Sequence, residues 1–116
     1  MLPLSHQQVY QRLLKSALQL QVLAVDGSAG TEFEREWQVL EQSVGQLLAL
    51  PQEALKADKS FFPYSLHTEI YRAWRLLKTE KLFWQSARQG TTAQQRLRAI
   101  SVRLGQLIDY CQALLT

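Results

Sequence analysis

The sequence predicts an all-α fold: an antiparallel four-helix bundle, up-down, with a longer connection between the second and third helices. Three observations carry this. Apolar residues recur three and four apart through most of the chain, which is the helical period. Residues that break helices collect at a few places between these stretches. No segment shows the strict alternation of a half-buried strand. At 116 residues the chain has the size of one domain, 1–116, with enough length to bury a core without metal or disulfide.

The first helix is expected to start at Ser5, with Gln8 three residues on in capping-box spacing, and to run to about Val25. Val9, Leu13, Ala17, Leu20 and Ala24 share its inner face. Asp26-Gly27-Ser28-Ala29-Gly30 is turn chemistry. Thr31 opens the second helix, with Glu34 completing another box. Phe33, Trp37, Leu40, Val44 and Leu47 then form an a/d seam over two heptads. Glu32, Glu34 and Glu36 sit early in this helix, where its dipole favours negative charge. Pro51 ends it, because the residue before proline is pushed out of helical geometry.

The connection over 51–64 is the longest, with a short helix expected within 52–58. Phe61-Phe62-Pro63 is too apolar for a free linker and is expected to pack across one end of the bundle. The third helix starts near Pro63 or Ser65 and reaches about Gln89. Leu66, Ile70, Ala73, Leu77, Trp84 and Ala87 mark its inner face. Gly90 is read as its left-handed stop. Thr92, with Gln95, is read as the cap of the fourth helix. Its seam is Leu97, Ile100, Leu104, Leu107, Cys111 and Leu114. Two short turns favour antiparallel hairpins, and helices of this length span about 30–37 Å at 1.5 Å per residue.

Composition narrows the function classes. The chain is 47% hydrophobic and 20% charged, which argues against long disorder. Its longest apolar runs are four residues, at 22–25 and 47–50, far below the roughly 20 of a membrane span. The start of the chain lacks the pattern of a secretion signal. The lone Cys111 excludes an internal disulfide and fits a reducing, cytoplasmic setting. Charge is divided: residues 1–59 hold five Lys/Arg and seven Asp/Glu, residues 60–116 eight and three. Such asymmetry orients a partner or a second copy of the chain.

Reactive groups are sparse. His6, His67 and Cys111 are singletons on different helices, and no HExxH or CxxC spacing occurs, so no metal or cofactor site is expected. His67 reads as a surface or capping residue. Cys111 falls between Leu107 and Leu114 and reads as a small buried hydrophobe rather than a nucleophile. The Gly27-Ser28-Ala29-Gly30-Thr31 stretch lacks the lysine and the preceding strand of a phosphate loop. Glu34, Glu41 and Glu69 read as solvated helix-face charges rather than a converging acid–base pair. No catalytic residue is expected, and the chain reads as non-enzymatic.

Two outer faces invite contact. Helical rotation sets Arg75 opposite the inner face of the third helix, with Tyr71, Lys78 and Leu82 within about 60° of it and Arg72 beside them. Tyr and Arg are favoured at interfaces, so this strip reads as a protein-docking patch. Scattered surface residues are the plainer alternative. On the first helix, Leu14, Leu18 and Val25 form a second apolar stripe about 100° from the first, read as a widened core or a homodimer contact. The Lys/Arg residues of the third and fourth helices also raise nucleic-acid binding. Without a helix-turn-helix or an aromatic RNA-binding motif, a solvated basic face is the commoner reading.

The second half carries a resemblance. Thr68-Glu69-Ile70, Arg75-Leu76-Leu77-Lys78-Thr79-Glu80 and Phe83-Trp84-Gln85-Ser86-Ala87-Arg88-Gln89 lie on the third helix. They are followed by Arg96-Leu97, Ile100, Arg103-Leu104 and Tyr110-Cys111. Over about residues 65–115 this resembles the PatD family of cyanobacterial heterocyst frequency control proteins. The resemblance implies a small non-enzymatic regulator. It would bind the tubulin-like cell-division protein FtsZ, modulate its filament assembly, and so affect cell division and heterocyst frequency. It implies no particular contact residues.

Overall fold

The a/d seams fold as their spacing requires. Phe33, Trp37, Leu40, Val44 and Leu47 are all buried, as are Leu97, Ile100, Leu104, Leu107 and Cys111. Val9, Leu13, Ala17, Leu20 and Ala24 join them from the first helix, and Ile70, Ala73 and Leu77 from the third. Leu66, Trp84, Ala87 and Leu114 are half-buried at the margins. The computed structural model describes residues 3–25, 30–57, 62–87 and 90–115. Its helices are α1 (Leu4–Val25), α2 (Thr31–Ala49), α3 (Glu53–Lys56), α4 (Phe62–Ser86) and α5 (Gly90–Leu115). The four long helices form a bundle 49 Å long and 21–22 Å across, with no strand among the described residues.

Cross-helix contacts set the topology. Gln21 of α1 donates to the Ser101 carbonyl of α5 at 3.2 Å, while Tyr10 lies near Cys111 at the other end. The two helices are therefore antiparallel. Along α2 and α4, Phe33 meets Trp84 (5.0 Å between ring centres) and Trp37 meets Trp74 (5.2 Å), again in opposite directions. Going round the bundle the order is α1, α2, α4, α5, so α1 and α4 lie diagonally. The α2 and α4 backbones approach each other less closely than the other neighbouring pairs. Aromatic rings fill the wider gap, because indoles hold helices farther apart than aliphatic side chains do.

Helix ends depart from the capping expectations. α1 begins one residue before Ser5, and the Pro3 carbonyl takes its first bond, from Gln7 N–H at 3.0 Å. Proline preset near helical φ suits that entrance. Gly30, not Thr31, is the N-cap of α2, and its carbonyl receives Glu34 N–H at 3.1 Å. α4 ends at Ser86, and Gly90 is the first residue of α5 rather than a left-handed stop. Thr92 is thus already inside the helix it was expected to cap. The short helix foreseen in the long connection is α3, pinned by the fully buried Leu55. The turn at 26–29, the packing expected of the Phe61 and Phe62 rings, and Arg88 and Gln89 lie outside what is described.

Candidate protein-docking interface

The rotation that buries Ala73, Trp74 and Leu77 turns the opposite side of α4 outward. Tyr71, Arg72, Arg75, Lys78 and Leu82 are all exposed there. From Tyr71 to Leu82 the strip covers about 16 Å, eleven rises of about 1.5 Å each. Its cations are held in place. The Arg75 guanidinium lies 5.8 Å from the centre of the Tyr71 ring, and Lys78 Nζ lies 5.6 Å from that of Trp74. Arg72 is tied to Glu69 one turn earlier, at 3.2 Å. A shallow hollow of about 370 Å³ lies among Thr68, Tyr71, Arg72, Arg75, Leu76 and Thr79. Leu82 is 63% exposed, so the strip offers apolar surface beside its cations.

The face is wider than the five residues named from sequence. Phe83 is half-exposed and carries Arg96 of α5 over its ring at 4.9 Å. Leu76 is exposed beside it. Both were legible from the rotation that found Tyr71, since neither points at the core. Lys81 leaves the basic face altogether. It is buried between α2 and α4, with Nζ 3.1 Å from Glu34 Oε2 and 4.7 Å from the centre of the Trp37 ring. Glu34 is therefore not a simple solvated charge. A long aliphatic stem lets lysine reach the acid from a buried position while the Trp37 ring stabilises its charge.

On α1, Leu18 and Val25 are exposed, and Val22 joins them. Leu14 is different: it is half-buried and packs against the core. The expected stripe thus splits into one residue that widens the core and two that face outward, with Val22 added to them.

His67 corrects the reading of it as a surface or capping residue. His6 and His67 are both buried, at the same end of the bundle. His6 Nε2 donates to the Pro51 carbonyl at 2.9 Å, tying α1 to the end of α2. Tyr10 Oη lies 3.0 Å from His67 Nδ1, bridging α1 and α4. His6 Nδ1 and His67 Nε2 have no partner among the described residues. Burial first, and the neighbouring His6 second, lower the His67 pKa. Burial pushes the Cys111 thiol up to about 12, which keeps it protonated and unreactive at neutral pH. Among the described residues no three His, Cys, Asp or Glu converge as metal ligands, and no helix is long and apolar enough to cross a membrane. Comparison with family models, curated proteins and solved structures gives no match.

Proposed function

We propose that this chain is a non-enzymatic regulator that docks on FtsZ through the outer face of α4 and modulates its filament assembly. In the cell it would act on division and heterocyst frequency. The observation that carries the reading is the strip Tyr71, Arg72, Arg75, Lys78 and Leu82, in which pre-positioned cations surround exposed apolar surface. The resemblance of residues 65–115 to the PatD family supports the partner. Cations already laid over rings lose less freedom on docking, and charges at the rim speed encounter with an acidic surface.

Arg75→Glu with Lys78→Glu is expected to weaken FtsZ co-sedimentation at least tenfold, with far-UV circular dichroism and melting unchanged. Undiminished co-sedimentation would reject this surface. Nucleic acid is the competing ligand for a basic face, and it predicts duplex or single-strand binding that collapses with salt. An anisotropy titration at two salt concentrations distinguishes the two. A second reading, a homodimeric scaffold, is favoured by the exposure of Leu18, Val22 and Val25 on a different face.

A further inference from the structure

The segment that follows α2 is fastened to the end of the bundle at three points. His6 Nε2 of α1 donates to the Pro51 carbonyl at 2.9 Å. Leu55 of α3 is fully buried, yet among the described residues the continuous core is drawn from the four long helices and Leu55 stands outside it. Lys56 Nζ lies 5.2 Å from the centre of the Tyr64 ring, where α3 runs against α4. Within the segment, the amides of Leu55 and Lys56 donate to the Gln52 carbonyl, and that of Ala57 to the Glu53 carbonyl. A segment held by a satellite residue can come away while the core stays packed.

His67 sits between these fastenings. It follows Tyr64 by three residues on the same side of α4, and its other neighbour is His6, the ring that holds Pro51. A carbonyl only accepts, so the His6 Nε2 proton is committed to Pro51. The second nitrogens, His6 Nδ1 and His67 Nε2, are sealed from solvent with no partner among the described residues. The ionisable groups around the pair are Tyr10 of α1, Glu53 and Lys56 of α3, Glu69 of α4, and Asp109 and Cys111 of α5. Tyr10 and Cys111 stay protonated, and Lys56 is a cation. Glu53 and Asp109 are exposed, and Glu69 is paired with Arg72 at 3.2 Å. None of these carboxylates bonds to either ring. A charge on the closed His67 is therefore buried and unpaired, whereas an uncovered ring has water to solvate it.

We infer that residues 51–57 form a proton-released strap, closed over neutral His67 at neutral pH and opened more often in acid, when the uncovered ring takes a proton. Opening binds protons, so its equilibrium is flat above the ordinary histidine value of about 6.5 and rises as pH falls below it. The lowered pKa of the closed His67 gives the same sign. Hydrogen exchange of the full chain, read by NMR at the Leu55, Lys56 and Ala57 amides and divided by intrinsic rates, tests this without FtsZ. From pH 7.5 to 5.5 the opening constant should rise severalfold, with about tenfold the ceiling for one imidazole. Low urea should leave strap opening unchanged while speeding exchange at the core amides of Leu40 and Leu104, because strap opening exposes little surface. His67→Gln should abolish the pH rise. Leu55→Ala should leave the strap unprotected at pH 7.5 with helical circular dichroism intact. Strap amides that are unprotected in the wild type, that open at the same rate at both pH values, or that open only with the core in urea would overturn the inference, and these wild-type results decide it whether or not a variant folds. An undiminished pH rise in His67→Gln would overturn it as well.

Discussion

His67 is the side chain on which surroundings act most visibly. It sits buried against Tyr10, near His6, with the protonated Cys111 thiol close to Tyr10 and no carboxylate among its hydrogen-bond partners. Its folded pKa is below the ordinary 6.5. In the window between the two values the unfolded chain binds more protons than the folded one, so stability falls as pH drops through 6.5 toward the folded value and levels off below it. Above 6.5 the group contributes no slope. His67→Gln should flatten the fall in melting temperature as pH drops below 6.5. An equal slope in wild type and variant would remove His67 from that role. The sequence did not announce this burial. His67 lies at the edge of the helical stripe, and only the bundle's geometry brings Tyr10, fifty-seven residues away, within reach of its ring.

At the scale of the helix, glycine offers a clean measurement. Gly45 and Gly105 both lie inside long helices, where glycine costs about 1 kcal/mol relative to alanine. A Cβ at Gly45 meets nothing within 4 Å. A Cβ at Gly105 comes 3.3 Å from Gln21 Nε2, the group that donates to Ser101. Gly45→Ala should therefore stabilise the bundle by about 0.5–1 kcal/mol. Gly105→Ala should gain less, because Gln21 must shift and strain its hydrogen bond. Chemical denaturation of the two variants compares them directly, and a larger gain at Gly105 would contradict the contact. Elements were the most legible level of this sequence. The seams of α2 and α5 were readable because every third or fourth residue faces inward whatever the partner. Helix starts were less so. Ser5, Thr31 and Thr92 are chemically able to cap, but a preceding Pro3, Gly30 or Gly90 starts each helix earlier. The burial of Lys81 is not legible from rotation, which does not reveal a neighbouring acid and indole across a wide helix gap.

For the whole molecule, the diagonal placement of α1 and α4 has a consequence. The strip Tyr71, Arg75, Lys78 and Leu82 was found by rotation, since orientation away from the core depends on one helix only. What covers it depends on a second molecule, which is why the partner was not legible in the same way. The exposed line Leu18, Val22 and Val25 lies on the outer side of α1, across the bundle from that strip. Under the proposed α4 docking, Val22→Glu should therefore leave FtsZ co-sedimentation and helical circular dichroism unchanged, whereas Arg75→Glu with Lys78→Glu should lose co-sedimentation. A Val22→Glu chain that no longer co-sediments would mean that the two faces do not act separately.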